Sequence, residues 1–91
     1  MDRTRLFERL GDEYDAGEPT RRAVARQAGD LADSGRIADE LGHELTVEAV
    51  LSNLADAPAE YDLTERWNWW MGALELSHGD FERFRVRPDV A

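Results

Sequence analysis

The chain has no cysteine. That excludes a disulfide framework, a thiolate metal site and a thiol nucleophile. No apolar run approaches the roughly 18 residues that a membrane span needs, and the first ten residues, MDRTRLFERL, are charged and amphipathic rather than signal-like. A soluble, cytoplasmic protein is expected. The motifs that announce common enzyme classes are missing too: there is no glycine-rich phosphate loop, no nucleophile elbow and no His-Glu-x-x-His. Acids are so numerous that none stands out as a general acid or base. We expect no catalysis, no cofactor and no small-molecule substrate.

Lysine is also absent, so all eleven Lys-or-Arg positions are arginine, and they face twenty acids for a net charge of −9. Isoleucine occurs once, at Ile37, while alanine and glycine are frequent. This composition resembles that of proteins from salt-in halophiles, where carboxylates hold water at the surface and a Debye length of about 3 Å at 1 M salt mutes their repulsion. The charge is unevenly placed. Residues 1–26 carry six arginines against six acids, and residues 66–91 carry four against four. The whole deficit falls in 27–65, where Arg36 stands alone against ten acids. An acidic middle is either a solvated face or a surface for something basic.

Ninety-one residues make one domain with room for a modest core. Leu6, Phe7, Leu10 and Tyr14 recur at the spacing of a core-facing helix over 2–14. Pro19 suits the first position of a second helix carrying Val24, Ala28 and Leu31. Ser34-Gly35 breaks or bends it before Ile37, Ala38 and Leu41, and Gly42 ends that segment. Thr46 is a candidate N-cap for a helix with Val47, Val50, Leu51 and Leu54 at i, i+3, i+4 and i+7.

The best-bounded helix runs from Asp62 to Gly79 and holds all three tryptophans. Asp62 and Glu65 have the spacing of a capping box, and Gly79 supplies a left-handed stop. At about 100° per residue, Leu63, Trp67, Trp70 and Leu74 form a stripe roughly 60° wide with Met71 at its edge. Trp69 and Leu76 lie almost opposite, so the helix is apolar on two sides and both need a cover. Gly72 between the patches leaves room for a close backbone approach. Phe84-Arg85-Val86-Arg87 alternates as a strand does, yet it has no partner in a helical chain. The tail is expected to pack irregularly over the Trp69 side or to pair with another copy.

Two constellations could carry chemistry. Both histidines sit in Glu-x-x-His: Glu40 with His43, and Glu75 with His78. A pair of such motifs resembles the ligand set of ferritin-like carboxylate bundles, a resemblance that implies metal binding with further glutamates from other helices. Against it, both histidines fall at helix ends, where an imidazolium also suits the helix dipole. Residues 37–42 followed by Thr46, Val47 and Leu51 resemble the Ala-x-x-x-Gly core of DNA-binding helix-turn-helix proteins. That resemblance implies a reading helix offering Ser52 and Asn53, with phosphate contacts from Arg21, Arg22 and Arg26. It departs at His43, where an apolar residue is usual, and at the turn, which is one residue short. Those arginines, like Arg83, Arg85 and Arg87, could equally pair with acids of the same chain.

The expected fold is therefore all-α: three to four short helices around a central tryptophan-rich helix, with an extended C-terminal tail. The leading functional expectation is a non-catalytic protein-interaction module, self-associating or bound to a protein partner, whose apolar contact comprises Trp69, Leu76, Phe81 and Phe84. A helix-turn-helix regulator that binds nucleic acid is the alternative, and a metal-binding helical protein the second.

Overall fold

Glycine, capping side chains and proline divide the sequence into helices where the periodicity changes. The computed structural model describes residues 1–87, with five α-helices among them: α1 Arg3–Glu13, α2 Glu18–Ser34, α3 Arg36–Leu41, α4 Val47–Ala55 and α5 Leu63–His78. A single 3-10 turn, Glu82–Phe84, follows. The protein is all-α, and no strand occurs among the described residues. None of its described helices is long and apolar enough to cross a membrane.

The helix starts follow the side chains that can satisfy free backbone N–H groups. Asp2 accepts from Arg5 N at 3.0 Å and Thr46 from Ala49 N at 3.1 Å. At α5 the capping box is complete: Asp62 accepts from Glu65 N at 2.8 Å, and Glu65 accepts from Asp62 N at 3.0 Å. The question left open at Ser34-Gly35 resolves as a break, because Gly35 takes φ 76°, a left-handed value that ends α2 and turns the chain into α3.

The core is one cluster in which Trp67 is the largest fully buried side chain. Trp67 and Trp70 meet edge to face, centroids 5.5 Å apart and planes at 88°, so the hydrogen-bearing edge of one ring meets the electron-rich face of the other. Around them, α1 lies along α2, α2 also packs on α3 and α5, and α4 packs on α1 and α5. Small residues of α2 make this close approach possible: Ala25, Ala28 and Gly29 are all buried. Gly29 lies under the side chain of Arg3, and a Cβ there would collide with the Arg3 guanidinium.

The chain after α5 departs from expectation. Gly79 and Asp80 both take positive φ, 77° and 71°, which reverses the direction of the backbone. Glu75 holds the reversal by accepting from the N–H groups of Asp80, Phe81 and Glu82 at 2.8, 3.2 and 3.1 Å. Arg36 donates a hydrogen bond to the Gly79 carbonyl, forms an ion pair with the Asp80 carboxylate and stacks on the Phe81 ring at 5.3 Å. Phe81, Phe84 and Val86 then enter the core. The alternation in 84–87 therefore spans the end of the 3-10 turn and the extended residues after it, held by side chains and not a strand. This segment runs along the Trp67 and Asn68 flank of α5 and leaves Trp69 36% exposed. At Gly72 the close approach is made by the Arg85 guanidinium, 2.9 Å from where a Cβ would stand, and not by a backbone.

Candidate interaction site on the tryptophan helix

Four consecutive residues of α5 do four different jobs, since successive side chains point about 100° apart. Trp67 faces inward, and its indole N–H donates to the Phe84 carbonyl at 2.7 Å. Asn68 lies on the flank and reads the backbone of one residue from both sides: its Oδ1 accepts from Val86 N and its Nδ2 donates to Val86 O, each at 2.8 Å. Trp70 completes the core beside Trp67. Trp69 is directed outward and remains 36% exposed.

Seven residues on, Leu76 is 92% exposed. With the exposed Ala73 between them, Trp69 and Leu76 form an apolar stripe at i, i+4 and i+7 on the outer face of α5. They are the large hydrophobic residues that the described chain leaves open to solvent. Trp69 also walls a groove of about 620 Å³ that runs between the α1–α2 connection and the first turn of α5. Asp15, Tyr61, Glu65 and Arg85 are among its other lining residues.

The other half of the expected contact is elsewhere. Phe81 and Phe84 are 1% and 5% exposed, with ring centroids 6.3 Å apart inside the chain's own core, so neither offers a surface to a partner. The reversal at Gly79-Asp80, invisible to helical periodicity, turns both rings inward.

The two Glu-x-x-His motifs do not converge on one centre. His78 Nε2 lies 2.8 Å from Glu40 Oε2, joining the ends of α3 and α5. Glu75, however, is engaged with the backbone of residues 80–82, and those N–H groups, Asp80's first, hold its carboxyl below the usual glutamate range. His43 is exposed, with Nδ1 2.7 Å from the Glu44 carbonyl. Among the described residues no group of three or more His, Asp or Glu side chains is placed to share a metal ion.

The residues expected to meet DNA are spread over two helices with other engagements. Arg21 stacks on Phe7 at 4.4 Å and donates to the Ala16 carbonyl, and Arg22 pairs with Glu18. Arg26 is exposed on the same helix. On α4, Ser52 is exposed, but the Asn53 amide donates back to the Ala49 carbonyl at 2.8 Å. Glu48, at the start of α4, pairs with Arg5, whose hydrogen bond lowers the pKa of its carboxyl. Asp33 is lowered in the same way by Arg3, 2.7 Å away.

Two side chains central to this region have no signature in the sequence. Asn68 looks like a polar flank residue until the tail is seen to return to it. Arg66 closes the loop before α5 by donating to the carbonyls of Tyr61, Leu54 and Ala59 at 3.0, 2.9 and 3.2 Å. It also stacks on Tyr14 at 5.1 Å.

These features define an all-α protein centred on a tryptophan helix whose inner face is core and whose outer face is open. The chain belongs to the WNWW domain family, whose model matches residues 1–75. The four letters of that description read as Trp67-Asn68-Trp69-Trp70 in this chain, and the match ends just before Leu76. No curated protein and no solved structure matches the chain.

Proposed function

We propose that this chain is a non-catalytic protein-interaction module, working in a cytoplasm of high salt, whose contact is the outer stripe of α5. The observation that carries the reading is the exposure of Trp69 and Leu76, side by side on one helix face, while the rest of the helix's large apolar surface is covered. An exposed leucine that becomes fully buried contributes about 1.5–3 kcal/mol, and tryptophan is among the residues that dominate binding energy at interfaces. Molar salt screens charge pairs but leaves apolar burial intact. A contact built on Trp69 and Leu76 suits that setting better than one built on ion pairs.

The test compares the native chain with a Trp69→Ala, Leu76→Glu double variant, by sedimentation velocity and by retention of cell proteins at the salt of the source cytoplasm. The native chain is expected to self-associate or retain a protein that the variant loses. Identical sedimentation and identical retained proteins for the two chains would remove the proposal. Both substitutions lie on the open face, so the variant's melting temperature should stay close to native.

A further inference from the structure

The groove beside Trp69 bears on the chemistry of the partner. Three acidic residues line it, Asp15, Asp62 and Glu65, against a single basic one, Arg85. The capping box takes one oxygen from Asp62 and one from Glu65 and leaves the second oxygen of each. The start of α5 contributes about half a positive charge, so the lining remains about one and a half charges negative. Arg85 is held towards Gly72, within the field of Glu75.

A second observation is independent of that charge. This chain stacks guanidinium groups on its aromatic rings repeatedly: Arg21 on Phe7, Arg36 on Phe81, Arg66 on Tyr14 and Arg83 on Phe84, at 4.4 to 5.3 Å. Trp69 has no such cation among the described residues, although it is partly open to solvent and indole is the best of the aromatic faces for one. We propose that the groove receives an arginine side chain of a protein partner, stacked on Trp69 and facing the carboxylates of Asp15 and Glu65. An apolar neighbour of that arginine lies along Ala73 and Leu76. The partner segment is thus basic and apolar together.

The other occupants fit less well. An anionic ligand would meet three carboxylates. A second copy of this chain carries twenty acids against eleven arginines, so the charged side chain it most often brings to contact distance is another carboxylate.

This inference rests on the interaction role proposed for α5, and the experiment separates the two. The probe is a short peptide of alternating arginine and leucine, titrated into the ¹⁵N-labelled protein while the three indole N–H resonances are followed. The Trp69 resonance is expected to move and saturate while those of Trp67 and Trp70 stay in place. Replacing arginine by citrulline, which has the shape without the charge, should weaken binding about tenfold. Asp15→Asn with Glu65→Gln should do the same.

Equal affinity for the two peptides, or an unmoved Trp69 resonance, overturns the proposal. A Trp69 shift that depends on protein concentration without peptide would show a second copy in the groove and also overturns it. A peptide carrying arginine without leucine should still move Trp69 in Leu76→Glu. The groove can therefore fail while the stripe still binds, and the stripe can fail while the groove still binds arginine.

Discussion

Asn68→Asp changes one NH₂ to an oxygen, and its consequence can be worked out from the geometry. In the native chain the amide gives the Val86 backbone both an acceptor and a donor, each at 2.8 Å. The substituted carboxylate can still accept from Val86 N, but its second oxygen faces the Val86 carbonyl, oxygen against oxygen. One hydrogen bond with a net value of about 0.5–1.5 kcal/mol is lost, and leaving a partly buried carbonyl unpaired costs about 1–3 kcal/mol. Local detachment of the segment should become easier by about 2 kcal/mol, because Phe84 and Val86 lie outside the α-helices, after α5, and can leave without opening the α1–α2 pair. Amide hydrogen exchange measures this directly: protection at Val86 should fall by about 30-fold, as 1.4 kcal/mol corresponds to a factor of ten. Trypsin should then cut after Arg83 and Arg85 sooner, with the helical circular dichroism nearly unchanged. If Val86 keeps its native protection, or if it and the core of α2 lose protection together, the reasoning fails.

Further expectations follow from the same contacts. Gly72→Ala should stabilise by about 0.5–1 kcal/mol in thermal or denaturant unfolding, since a mid-helix glycine costs that much relative to alanine and only the movable Arg85 guanidinium stands in the way. Asp62→Ala removes the side-chain half of the capping box and should destabilise by about 1 kcal/mol in the same assay. Glu75 has its pKa lowered in the folded chain, so its contribution is complete above the ordinary glutamate value of 4.5. It is lost as pH falls below 4.5 and through the depressed folded value. Glu75→Gln should therefore flatten the acid limb of stability between those values, measured as melting temperature against pH.

Much of the fold was legible because its signals are local. Asp2, Thr46 and Asp62 sit before apolar-periodic runs and are N-caps, and Gly35 and Gly42 end helices at φ 76°. Leu6, Leu10, Val50, Leu54, Trp67 and Trp70 recur at helical spacing, and all are buried. Each depends on residues within about one turn of itself, so order along the chain suffices. That α5 is apolar on two sides was also readable, but not that Trp69 and Leu76 stay open, since the tail was expected to cover the Trp69 side or to pair with another copy.

The tail and the histidines show what order along the chain cannot carry. Phe81 and Phe84 read as spare aromatics, yet the carboxylate of Glu75 and the side chain of Arg36 turn the backbone at Gly79-Asp80 and direct them inward. Glu75 and His78 share a helix but have different partners, because the reversal returns three N–H groups to one and the end of α3 supplies Glu40 to the other. Local sequence determined which segments are helices and which faces are oily. Only the tertiary structure decided which polar side chains meet a returning backbone, because those contacts join elements whose separation in space does not follow from their separation in sequence.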